Sequence, residues 1–219
     1  MSEDLELRAA AGFVDPVVAA ELPGLRLDWV IVEGRVRPSP PEVKRRLEEL
    51  SDRYRGASVV AMRTKPIPHA YRAFFHQIGL DPDITRIPSE QAALGRLLEG
   101  RFSSRDLVRD ALLIALVETG VPVWALDADL VHPAGLGIRA TVAGDRLGKD
   151  TSGPVLAPGR LVVADRRCIH ALLFGDVAPR HLPTSRSGRI TLFAVAVDGV
   201  PAIHVAEALW VCAESLRTA

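Results

Sequence analysis

Acid–base or metal chemistry in this chain would fall first to its six histidines: His69, His76, His132, His170, His181 and His204. None pairs with another as His-x-x-x-His, and the two cysteines, Cys168 and Cys212, do not form a Cys-x-x-Cys. Ligand spacing therefore points to no zinc site, and neither a metal nor another cofactor is expected. Gly135-Leu136-Gly137 lacks the third glycine and the following helix of a phosphate-binding loop. A Gly-x-Ser-x-Gly elbow is absent too. The scattered serines, histidines and aspartates suggest no triad by spacing, so no catalytic residue is assigned.

A few side chains remain as pocket candidates. Glu118 ends a long apolar helix just before Gly120. It is either a carboxylate working in a pocket or, more commonly for such a residue, a partner for groups at a turn. Trp124 lies between Pro122 and Asp127 on an expected strand. Its indole suits either the core or a stacking wall for a ring. His170 sits within an apolar strand, where a hydrogen-bonded core histidine is the default and an acid–base role the alternative. Arg180, His181 and Arg186 share a Pro/Ser/Thr loop whose guanidinium and hydroxyl donors suit an oxyanion.

Hydrophobic periodicity sets out the elements that must position these groups. A short helix over Val17–Glu21 precedes a strand over Leu25–Glu33. Ser39-Pro40-Pro41-Glu42 starts a helix that runs to about Tyr54, with Ser39 as its N-cap. Further helices are expected over Ala70–Ile78, from Ser89 to Gly100, and over Asp106–Thr119. The last is apolar around much of its circumference, which predicts burial on several sides. Strands follow at Val123–Leu126 and Leu136–Val142. A hairpin joins Arg160–Ala164 to Ile169–Phe174 through Asp165-Arg166-Arg167. A long buried strand over Arg189–Val197 precedes a closing helix over Pro201–Leu216. Helices first and strands later predict an α+β fold, with helices packed on a mixed or antiparallel sheet. Residues 1–59 are expected to supply a strand and helix integrated with a core over 60–219.

Composition bounds the remaining choices. The chain has 219 residues, 48% hydrophobic and 25% charged, enough for one domain with its own core. Two cysteines fit a reducing compartment. The acidic start, Met1-Ser2-Glu3-Asp4, is unlike a basic signal peptide, and no apolar run spans a bilayer. A cytoplasmic protein with no membrane partner is expected. Net charge is zero but unevenly spread. Residues 35–109 hold 15 basic and 9 acidic groups, a net of +6. Such a segment is either a polyanion footprint or, more commonly, the solvated face of amphipathic helices.

The order of several segments carries a resemblance. Arg63-Thr64-Lys65-Pro66-Ile67-Pro68-His69-Ala70-Tyr71 is followed by Gly79-Leu80-Asp81-Pro82, Arg86-Ile87-Pro88-Ser89-Glu90 and Leu97-Leu98-Glu99-Gly100. Then come Glu118-Thr119-Gly120-Val121-Pro122-Val123-Trp124-Ala125-Leu126-Asp127 and Pro158-Gly159-Arg160-Leu161-Val162-Val163-Ala164-Asp165. This series, over about residues 60–200, resembles free-standing members of the B3/B4 family, the editing domain of the phenylalanyl-tRNA synthetase β subunit. In the bacterial synthetase that domain hydrolyses tyrosine wrongly attached to the phenylalanine tRNA.

The resemblance implies a single B3/B4-like domain with a pocket between helix and sheet, and a tRNA or aminoacyl-tRNA partner. It also marks departures. The synthetase's threonine–asparagine pair falls on Leu112 and Leu113, its histidine on Trp124, and its late-strand glutamate on Phe193 or Ala194. An apolar wall at these places removes the hydrogen bonds that would recognise a tyrosine hydroxyl. Tyrosine editing is therefore not expected, nor does the chain have room for an aminoacylation core. Two functions follow as expectations. One is a tRNA-related protein, either a trans-acting aminoacyl-tRNA deacylase or a tRNA-binding module. The other is a non-catalytic domain for an amino-acid-like ligand that has lost editing.

Overall fold

The computed structural model describes residues 9–54, 61–148 and 153–217. The chain is α+β, a single domain with six α-helices and two four-stranded sheets among the described residues. In chain order these are β1 (Ala10–Ala11), β2 (Phe13–Val14), α1 (Pro16–Glu21), β3 (Arg26–Glu33), α2 (Pro41–Arg53), α3 (Pro66–Gln77), α4 (Pro88–Glu99) and α5 (Leu107–Thr119). Then follow β4 (Val123–Asp127), β5 (Gly137–Ala140), β6 (Leu161–Ala164), β7 (Ile169–Leu172), β8 (Arg189–Ala196) and α6 (Ala202–Arg217). Short 3-10 turns occupy Ala128–Leu130 and Pro179–His181.

The first sheet, ordered β1-β3-β8-β4, is antiparallel throughout. Seven of the eight residues of β8, Ile190 to Ala196, are buried, as expected of a central strand covered on both faces. Helices α5 and α6 pack on one another, and α6 lies against β3 and β8. Tyr71 ties α3 to the same strand, its hydroxyl donating to the Val195 carbonyl at 2.8 Å. Burial pushes that phenol up, so it remains a neutral donor.

The second sheet, β2-β5-β6-β7, is mixed: β2 runs parallel to β5 and the other pairs are antiparallel. The expected β6–β7 hairpin is present. The N-terminal segment belongs to both sheets, with β1 in the first and β2 in the second. Its short strands carry no alternating pattern, so the periodicity misses them. Gly137 lets β5 approach β2 closely, since a Cβ there would fall 2.3 Å from the Phe13 ring.

Helix starts match the sequence reading within one residue except at α3, and the cap of α2 differs as well. α3 begins at Pro66, four residues before Ala70, because proline suits the first turn. Ser39 is not the cap of α2. Pro40 takes that position with no side-chain cap, and the Ser39 hydroxyl donates to Asp110 at 2.6 Å. Pro40 and Pro41 lack N–H groups, so this helix start has fewer donors to satisfy, whereas a buried carboxylate needs them.

Candidate functional site

Leu112, Leu113 and Trp124 meet at a cleft of about 510 Å³ between α4, α5 and β4. Leu112, Leu113 and Leu116 share one side of α5 because their spacing follows the helical period. Trp124 comes from β4, and Pro88, Gln91 and Ala92 from α4. Phe174, Gly175 and Asp176, which follow β7, complete that side. The three leucines and Trp124 are half-buried, while Arg86 and Asp176 are exposed charged groups of the lining. An apolar floor with opposite charges at its margin suits a ligand with a hydrophobic part and polar ends.

Aromatic packing builds the floor of the cleft. Trp124 stacks on Phe193, with centroids 5.5 Å apart and planes 12° from parallel. Phe193 itself is buried beneath it in β8 and does not line the cleft. The pair is opposed across the β4–β8 ladder, so strand register sets the stack. Phe174 meets Trp124, Tyr71, Phe74 and Phe75 with centroids 5.5–5.8 Å apart. It holds a left-handed backbone, φ 56°, which is costly for a residue with a Cβ. The strain places an aromatic ring where β7 gives way to the cleft wall.

The other candidates lie elsewhere. Glu118 receives a bidentate ion pair from Arg46, at 2.8 and 2.6 Å, on the side of α5 that faces α2. Arg186 is exposed in the loop before β8, its backbone N–H donating to Thr184 Oγ1. His170 is fully buried. Its Nε2 lies 2.9 Å from Asp165 Oδ2 and its Nδ1 3.0 Å from His181 Nδ1. This is the hydrogen-bonded core histidine that an apolar strand implies. Burial alone would push the Asp165 carboxyl up. Hydrogen bonds from His170 and from the N–H groups of Arg167, Cys168 and His132 outweigh it and hold the carboxyl at about 2.

Much of the basic segment is neutralised within the fold. Arg45 pairs with Glu49, Arg46 with Glu118, and Arg63 and Arg72 with Asp83 and Glu90. These are internal neutralisations. Lys44, Arg101 and Arg105 make no ion pair among the described residues, and they line one groove with Ser103 and Ser104. Glu48 is the acidic group of that lining. Asp110, 1% exposed, fixes the loop beneath it. It accepts from Ser39 Oγ at 2.6 Å, Ser104 Oγ at 2.5 Å and the Arg105 N–H at 2.9 Å.

No protein-family model matches the chain, and no curated protein matches it significantly. The geometry therefore carries the reading. Sequence reasoning missed Arg86, Phe174 and Asp176, because nothing in their spacing signals that they flank Trp124. It also missed the meeting of Cys168, His170 and His181, for which the available signal was Cys-x-His at the start of a strand.

Proposed function

We propose that the protein is a tRNA-related binding module, a B3/B4-like domain whose apolar cleft receives the aminoacyl end of a charged tRNA. The observation that carries this reading is the meeting of Leu112, Leu113 and Trp124 at one open cleft. The resemblance had assigned those positions to a pocket wall. Arg86 suits a phosphate or carboxylate oxygen, and Asp176 an α-ammonium group. The groove of Lys44, Arg101 and Arg105 supplies cations for a polyanion.

The lining favours binding over hydrolysis. Its described residues include no serine, threonine, cysteine or histidine, so ester cleavage would rest on Asp176 and positioned water. That observation supports a second reading, a non-catalytic pocket for a free amino-acid-like ligand.

Binding of charged and uncharged tRNA, measured by anisotropy at several salt concentrations, tests the first reading. Affinity for aminoacyl-tRNA should exceed that for uncharged tRNA and fall with salt. Trp124→Ala should weaken the aminoacyl-dependent part at least about tenfold, while Trp124→Phe retains most of it. Equal affinity for both tRNAs, or no binding, would sink this reading. A thermal shift with free amino acids that Trp124→Ala abolishes would then favour the second. Deacylation of a mischarged-tRNA panel above the buffer rate would instead establish a trans-acting deacylase.

A further inference from the structure

We propose that Cys168, His170 and His181 form a binding site for a thiophilic divalent metal ion, with zinc as the expected occupant. The inference does not rest on the cleft or on any tRNA role.

Backbone structure brings the three together. Asp165 and Cys168 close the turn between β6 and β7, the Asp165 N–H donating to the Cys168 carbonyl at 3.1 Å. Cys168 immediately precedes β7 and His170 lies within it, and their side chains meet, Sγ 3.8 Å from Nε2. The chain then returns. The Ala178 N–H donates to the His170 carbonyl and the His181 N–H to the Ala178 carbonyl, each at 2.8 Å. This sets the 3-10 turn Pro179–His181 beside β7 and aims one imidazole at the other.

The separations suit coordination. One ligand atom from each residue lies within 4.8 Å of the other two. The two Nδ1 atoms, which face each other, are 3.0 Å apart. Zn–N bonds of about 2.0–2.1 Å and a Zn–S bond of about 2.3 Å give tetrahedral edges of roughly 3.3 Å for N···N and 3.6 Å for S···N. The imidazole pair needs to open by only about 0.3 Å, and the thiolate to close in from within the 4.8 Å that bounds the set.

Asp165 supplies the outer support that such sites use. Its Oδ2, 2.9 Å from His170 Nε2, holds that nitrogen as the donor and leaves the Nδ1 lone pair toward His181. Three backbone N–H groups hold the carboxylate in turn: His132 on Oδ2, and Arg167 and Cys168 on Oδ1. Cys168 is half-buried whereas His170 is fully buried, so the thiol marks the side from which an ion enters.

Binding balances simply. The ion replaces the hydrogen between the two Nδ1 atoms, His181 shifts to the tautomer protonated at Nε2, and the Cys168 thiol releases its proton to solvent. Three protein ligands leave one position for water.

Cobalt(II) titration of the chelator-treated full chain tests the site. One equivalent should produce the visible bands of four-coordinate cobalt and a near-ultraviolet thiolate-to-cobalt band, both removed by one equivalent of zinc. Cys168→Ser should abolish the thiolate band. His181→Gln should weaken zinc binding by calorimetry at least about tenfold. Circular dichroism and urea midpoints of the metal-free variants show whether each is folded, and Cys168→Ser changes so little volume that it serves as the decisive variant. Absence of the cobalt bands, or zinc binding with unchanged affinity in folded Cys168→Ser, would overturn the site and leave a hydrogen-bonded polar core.

Discussion

Replacing Phe174 by glycine should leave the protein more stable than replacing it by alanine. Phe174 carries a left-handed backbone, φ 56°, under a ring that touches four aromatic neighbours. A left-handed backbone costs an ordinary L-residue about 1–2 kcal/mol. Aromatic contacts worth about 0.5–1.5 kcal/mol each outweigh that cost in the native protein. Phe174→Ala removes the ring and keeps the strain, for a loss of about 3 kcal/mol. Phe174→Gly removes both, but its unfolded chain gains about 0.4–1 kcal/mol of entropy. The balance favours glycine by about 0.5–1 kcal/mol, the reverse of the order in regular helix or strand. Urea unfolding followed by circular dichroism reads the difference, and Tm should follow at about 2–4 °C per kcal/mol for a chain of this size. An alanine variant as stable as the glycine variant, or more so, would refute the claim that strain places this ring against the cleft.

Other expectations follow from the same contacts. Asp110→Ala should cost about 3 kcal/mol in urea unfolding, because two hydroxyls and one N–H lose their buried acceptor. Asp110→Asn should recover part of that loss. A double-mutant cycle on Arg46 and Glu118 should give a coupling of only about 0.5–1 kcal/mol, falling with salt, since both side chains remain partly exposed. If the protein binds tRNA, reversing Lys44, Arg101 and Arg105 together should weaken binding for all tRNAs alike. It should also reduce the salt slope by nearly one per lost phosphate contact. An unchanged slope would move the phosphate contacts elsewhere.

The α+β class and most helices were legible because each carries a local signature. Asp106 begins α5 and accepts from the Arg109 N–H, and Gly120 ends it in the left-handed conformation. β8 was legible as a long apolar run, and the β6–β7 hairpin as two such runs around Asp165-Arg166-Arg167. β1 and β2 were not, since two-residue strands contain no period. Nor did the chain pattern show that the strands divide into two sheets. Part of the cleft was legible too: Leu112, Leu113 and Trp124 were named as a wall and do meet. Phe193 joins them only from below, by stacking under Trp124.

The amino-acid sequence by itself determined most of the secondary structure and the apolar character of Leu112, Leu113 and Trp124. Both follow from side-chain type and from spacing over fewer than about ten residues. Only the tertiary structure decided which groups face each other across long separations. Asp110 answers Ser39, Glu118 answers Arg46, and Phe174 answers Trp124. Cys168, His170 and His181 show the same limit at shorter range. Their spacing matches no ligand motif, yet a turn and a returning chain bring them within 4.8 Å. Convergence of this kind is set by strand register and helix packing, and these depend on contacts that a linear pattern does not record.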